Sequence, residues 1–121
     1  MNDFISELVA RIEELSLRPL EYEYAAHGIK INTNIDYDNI ILDINPGLRS
    51  WHYRITVDTE KVRVENAEIS LANPGMFKEI KNELSKLLQT NLKAEKKKLE
   101  KDIRISNRML ETVKRALTTH S

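Results

Sequence analysis

The sequence predicts an α+β fold: an N-terminal helix, an antiparallel sheet of four or five strands, and a long C-terminal helix. Three observations carry that prediction. Apolar residues recur at helical spacing near the N-terminus, the spacing changes to two between about Leu20 and Leu71, and the stretch from Met76 to Thr118 contains no Gly or Pro.

Asp3 is suited to cap a first helix running to about Ser16, with Phe4, Ile5, Leu8, Val9, Ile12 and Leu15 on one apolar face. Pro19 is expected to stop this helix, because the residue before a proline avoids helical backbone angles. Leu20, Tyr22 and Tyr24 then alternate with Glu21 and Glu23, the pattern of a strand with one wet face. His27-Gly28 permits a turn or bulge, after which Ile29, Ile31 and Thr33 continue the alternation. Asn34 to Asn39 reads as a polar loop and Ile40 to Ile44 as the next strand. Asn45-Pro46-Gly47 reads as a turn in which Pro fixes one angle and Gly accepts the other.

Trp51, Tyr53, Ile55 and Val57 alternate with His52, Arg54, Thr56 and Asp58 and make the clearest strand in the chain. Val62 and Val64 begin the last one, and the opposite parity of Ala67, Ile69 and Leu71 calls for a bulge near Glu65 and Asn66. Short connections imply a meander with one face under the helices. The other face would carry Glu21, Glu23, His52, Arg54, Thr56 and Asp58.

Asn73-Pro74-Gly75 marks the start of the C-terminal helix, and Phe77, Ile80, Leu84, Leu87 and Leu88 give it a core-facing stripe. A second stripe runs through Leu92, Leu99, Ile103, Ser106, Leu110, Val113 and Leu117, a heptad seam with one polar position. The two registers do not match across Gln89-Thr90-Asn91. A stutter in one continuous helix would explain this, and so would a hairpin turn near Thr90 and Asn91. The absence of Gly and Pro favours continuity. A helix of some forty residues would span roughly 65 Å, about twice the width of a small domain, so its outer seam would need a partner. The chain therefore reads as one domain, residues 1–75 forming a body and 76–121 a helix for packing and homodimerisation.

Composition narrows the function classes. The chain has 121 residues and no cysteine, which rules out a disulfide framework, a thiolate zinc site and a cysteine nucleophile. No apolar run approaches the twenty or so residues that cross a bilayer, and the N-terminus lacks the segments of a signal peptide, so no membrane partner and a cytoplasmic location are expected. The net charge of zero divides unevenly: residues 1–73 carry 13 acidic and 7 basic side chains, while residues 74–121 carry 6 acidic and 12 basic ones.

Asp36, Asp38 and Asn39 resemble the opening of a calcium loop, but Ile41 stands where that loop needs glycine and Gly47 where it needs glutamate. His27, His52 and His120 share no metal-ligand spacing. With Gly28, Gly47 and Gly75 as the only glycines there is no phosphate-cradling loop, and no serine sits in a nucleophile elbow. No catalytic, cofactor or metal residues are therefore assigned. Lys93, Lys97, Lys101, Arg104, Arg108 and Arg115 share one face of a continuous helix and form a basic ridge suited to an acidic protein surface or to phosphate backbones. Glu95, Glu100, Asp102 and Glu111 interleave with them, and no aromatic residue is present for base stacking.

The expected function is that of a non-catalytic regulatory or adaptor protein. It would self-associate through the heptad seam and bind a protein partner through the sheet face or the ridge, a description that small phage or mobile-element inhibitors fit. The alternative is a nucleic-acid-binding dimer using the ridge. The order helix, sheet, long helix resembles that of small dimeric nucleoid-associated proteins of the YbaB type, in element order alone. No shared motif carries their DNA binding onto residues of this chain.

Overall fold

The computed structural model describes residues 3–45, 50–101 and 107–118. The chain begins with α1 (Asp3–Ile12), a π-helical turn (Glu13–Leu17) and α2 (Arg18–Ala25). Five strands follow, β1 (Lys30–Asp36), β2 (Asn39–Asn45), β3 (Trp51–Val57), β4 (Lys61–Val64) and β5 (Ala67–Ser70), in the antiparallel order β1-β2-β3-β4-β5. Then come α3 (Met76–Lys101) and α4 (Asn107–Thr118). The α+β reading, with its N-terminal helix, antiparallel meander and long C-terminal helix, is what the structure shows.

Helical structure does not stop at Pro19. The Arg18 N–H bonds the Glu13 carbonyl, five residues back, and the wider turn takes the proline into the first turn of α2, where a missing N–H costs nothing. The extra residue also rotates the helix face. Leu15, expected in the core, is turned out, while Ser16 and Leu17 are buried and the Ser16 hydroxyl donates to the Phe77 carbonyl at 2.7 Å.

The segment Leu20 to Tyr24 is therefore helix and not strand. Leu20 and Tyr24 lie four apart, a spacing that suits one side of a helix as well as one face of a strand, and both are buried. Glu21 and Glu23 accordingly belong to α2 and not to the sheet. The helix closes with the Gly28 N–H on the Ala25 carbonyl and the Ile29 N–H on the Tyr24 carbonyl, a glycine-capped ending that needs the positive φ of Gly28.

Asn34 to Asp36 also departs from expectation, extending β1 to a two-residue turn at Tyr37 and Asp38. Glu65 and Asn66 form a second tight turn, with Glu65 at positive φ, in place of the expected bulge. The turn expected at Asn45-Pro46-Gly47 lies largely outside the described residues.

Strands β2 to β4 alternate buried with more exposed side chains, so the helices cover one face only. Ile40, Leu42 and Ile44 from β2, Tyr53, Ile55 and Val57 from β3, and Val62 and Val64 from β4 meet Ile80, Leu84 and Leu88 of α3 across a single core. Each such fully buried side chain is worth roughly 1.5–3 kcal/mol.

The largest correction concerns the C-terminus. The helix is not one continuous rod from Met76 to Thr118, because α4 folds back against α3. Val113 and Ala116 are 0 % exposed within the lone chain, Leu92 and Leu99 are buried, and Leu110 and Leu117 are partly buried against the same core. The chain does not turn near Thr90 and Asn91, which fall in the middle of α3; that helix runs on to Lys101, and α4 starts at Asn107.

Polar residues explain the mismatched registers. The Gln89 amide donates to the Tyr24 hydroxyl at 2.8 Å and to the Ala116 carbonyl at 3.4 Å, tying α2, α3 and α4 together. The Asn91 amide donates to the Tyr53 hydroxyl, which also reaches the Leu87 carbonyl at 3.3 Å. Thr90 points outward and bonds the Lys86 carbonyl at 2.9 Å. The apparent break in the apolar stripe is thus the place where two buried tyrosines find their hydrogen-bond partners.

Candidate functional site

Among the described residues, two surfaces of the sheet remain open once the helices are in place. The first is the outer face of the sheet. Asp43 and His52 stand opposite each other on β2 and β3, with His52 Nδ1 against the Asp43 carboxylate. Next along β3, the Arg54 N–H bonds a Glu65 carboxylate oxygen at 2.7 Å, and the Glu65 N–H returns to the Arg54 carbonyl at 3.0 Å. Glu68 on β5 receives Arg63 at 2.7 Å and Lys61 at 3.1 Å, and these two cations hold its carboxyl below the usual carboxylate range. A shallow depression lined by Ile41, His52, Tyr53, Arg54 and Glu65 sits among these groups.

Of the side chains expected on this face, His52, Arg54 and Thr56 are there. Asp58 lies past the end of β3, where its carboxylate accepts the Glu60 and Lys61 N–H groups at 2.7 and 2.8 Å. Those bonds hold its carboxyl below the usual range, so it serves the turn. Arg63 and Glu68, which complete the charged face, had the alternating signal of β4 and β5 to identify them.

The second open surface is the free edge of β1. A groove of about 610 Å³ runs between this edge and α2, lined among others by Arg18, Glu21, Tyr22, Ala25, Ile31 and Thr33. The Thr33 hydroxyl donates to the Glu21 carboxylate at 2.8 Å across it. Tyr22, Ile35 and Tyr37, respectively 79 %, 39 % and 50 % exposed, lie in α2, in β1 and in the turn after β1. Periodicity assigns Tyr22 to a strand and residues 34–39 to a loop, so neither the groove nor the edge is visible in the sequence.

The two C-terminal constellations fare differently. Of the proposed interface, Leu92, Leu99 and Val113 are buried inside one subunit, Leu110 and Leu117 are partly so, and Ile103 and Ser106 lie outside the described residues. The basic ridge is divided by the fold-back. Lys93 and Lys97 are exposed on α3 and Arg115 is exposed on α4, so one straight helical face does not carry them all. Lys101 is the last residue of α3, Arg104 lies outside the described residues, and Arg108 is in the first turn of α4.

Among the described residues, no three His, Asp or Glu side chains converge as a metal ion would require, and no helix is long and apolar enough to cross a membrane. Comparison with protein-family models, with curated proteins and with solved structures finds no match to the chain.

Proposed function

We propose that the chain is a non-catalytic adaptor that binds a protein partner through the uncovered face of its sheet. The observation that carries this reading is the ordered array of charged and polar side chains on that face, where Asp43, His52, Arg54, Arg63 and Glu68 stand on a five-stranded support that none of the described helices covers. With strands about 4.8 Å apart and about 3.4 Å per residue, the face projects over roughly 500 Å². That is the same order as the about 800 Å² one partner contributes to a standard interface. Alternating cations and anions held by cross-strand pairs favour a protein surface of complementary pattern over a uniformly anionic polymer.

A photo-crosslinking residue at Thr56, on this face, and another at Lys98, exposed on α3, separate the open sheet from the helical side. The reading predicts a discrete adduct from Thr56 in lysate of the source cells. It also predicts loss of that adduct when Arg54 and Arg63 are changed to Glu, and none from Lys98. Crosslinking from Lys98 alone would overturn it.

A further inference from the structure

The free edge of β1 has a sequence that matches itself when reversed. Ile31-Asn32-Thr33-Asn34-Ile35 reads the same in both directions, and it is flanked by Lys30 on one side and Asp36 on the other. We infer that two copies of this chain associate by antiparallel pairing of their β1 strands about Thr33, joining two five-stranded sheets into one of ten.

The backbone has the phase this pairing needs. The Val57 N–H bonds the Asp38 carbonyl at 2.9 Å, so even-numbered positions along β2 turn their hydrogen-bonding groups toward β3 and odd-numbered ones toward β1. In the register Asp36↔Asn39, Asn34↔Ile41, Asn32↔Asp43 and Lys30↔Asn45, the β1 residues that meet those odd positions are the even-numbered ones. The N–H and C=O groups of Ile31, Thr33 and Ile35 therefore face out of the sheet. Centred on Thr33, they meet the same three residues of a second copy in hydrogen-bonded pairs, Thr33 with the partner's Thr33 and Ile31 with the partner's Ile35.

The side chains agree with the same register. Asn32 falls opposite the partner's Asn34, and Lys30 opposite the partner's Asp36, an opposite-charge pair that occurs twice by symmetry. The partner's Ile35 comes beside Ile31 at the mouth of the groove under α2, which covers an isoleucine left 39 % exposed in the single chain. Moving the centre by one residue would set Lys30 opposite Asn34 or Asp38 and lose the match of like with like.

The opposite edge of the sheet lacks these properties. β5 has four residues and carries Glu68, bound to Lys61 and Arg63. Shortness and charge are the usual means of blunting an edge. β1 has seven residues, and its five central ones are uncharged.

Light scattering and sedimentation of the full chain over a concentration series test the inference. The expected mass rises from 14.1 kDa toward twice that value. Asp36→Lys, which sets like charges opposite one another in both symmetric pairs, is expected to weaken the dimer roughly tenfold. The exchange Lys30→Asp with Asp36→Lys should restore it. Ile35→Pro removes an outward N–H at an edge position, where a folded monomer tolerates proline, and should abolish dimerisation with the circular dichroism spectrum retained. A mass fixed at 14.1 kDa up to about millimolar concentration, the weak end of specific association, would overturn the inference. So would a dimer indifferent to both Asp36→Lys and Ile35→Pro.

Discussion

The C-terminal seam and the edge of β1 are both places where the fold meets unsatisfied surface, and they are dealt with in opposite ways. The seam is strongly apolar and is covered from within, since α4 lies along α3 with Val113 and Ala116 buried. The β1 edge is polar in sequence, yet it is left with outward backbone groups and exposed Tyr22, Ile35 and Tyr37 nearby. The difference teaches that apolar composition alone does not locate an interface. A second helix packed back on the first disposes of a greasy helix face, whereas a strand edge must be paired, blunted or covered by another segment.

The sharpest way to break this comparison is to place a charge in the seam. Val113→Asp should destabilise the folded chain by about 3–5 kcal/mol, because an unpaired carboxylate would be buried between α4 and the core. Denaturant titration checks it, and the loss should be the same at low and high protein concentration. A seam that served dimerisation would instead give a loss that shrinks on dilution.

The tyrosine layer beneath the helical pair comes next. Burial is the main cause that pushes the Tyr53 hydroxyl up to about 12 from 10.0, opposed by the Asn91 hydrogen bond and aided by Glu65. The folded state thus keeps its proton longer than the unfolded chain does. The corresponding stability is whole below pH 10 and is lost as pH rises through 12, by up to about 3 kcal/mol. Tyr24, raised chiefly by burial, shifts in the same direction. Denaturant midpoints measured between pH 9 and 12 should fall, and Tyr53→Phe should flatten that fall.

Gln89→Ala removes the donor shared by Tyr24 and Ala116 and should cost about 1–2 kcal/mol by thermal or chemical unfolding. It should also raise amide exchange in α4 more than in β2 and β3, which would set the seam apart from the sheet. The smallest effect belongs to the other side of the comparison. Asn34→Lys, at an exposed position on β1, should change monomer stability by less than about 0.5 kcal/mol at low protein concentration. A loss of several kcal/mol there would mean that β1 is already covered within the subunit.

Much of the sheet was legible because β2, β3 and β4 bury every second residue over four to seven positions, and strict alternation of that kind suits a half-buried strand and no helix. The start of α3 was legible too. The Asn73 side chain accepts the Gly75 N–H at 2.9 Å, and the helix begins at Met76. What misled were short signals with two solutions. Leu20, Tyr22 and Tyr24 fit period two over five residues, and only the π-turn before them shows that the chain has not left the helix. A proline that ends most helices was absorbed by one wider turn.

The fold-back was hidden for a different reason. A heptad seam records that a helix face is buried, not whose surface buries it, and the sequence between α3 and α4 has neither Gly nor Pro to announce a change of direction. Gln89 and Asn91 looked like an interruption because their role depends on Tyr24 and Tyr53, which are distant in sequence. The charged sheet face was partly readable, through His52, Arg54 and Thr56. The edge groove was not, since it exists only where α2 comes to lie beside β1.

The fold-back itself is open to direct measurement because the chain has no native cysteine to interfere with labelling. Spin labels on cysteines placed at the exposed positions Lys93 and Arg115, with labelled chains diluted into unlabelled ones, report the distance within a single subunit. Packed helices put these backbones about 10–15 Å apart, given interaxial distances of 8–10 Å. A continuous helix at 1.5 Å per residue would separate them by about 33 Å, and a distance distribution centred there would contradict the folded-back C-terminus.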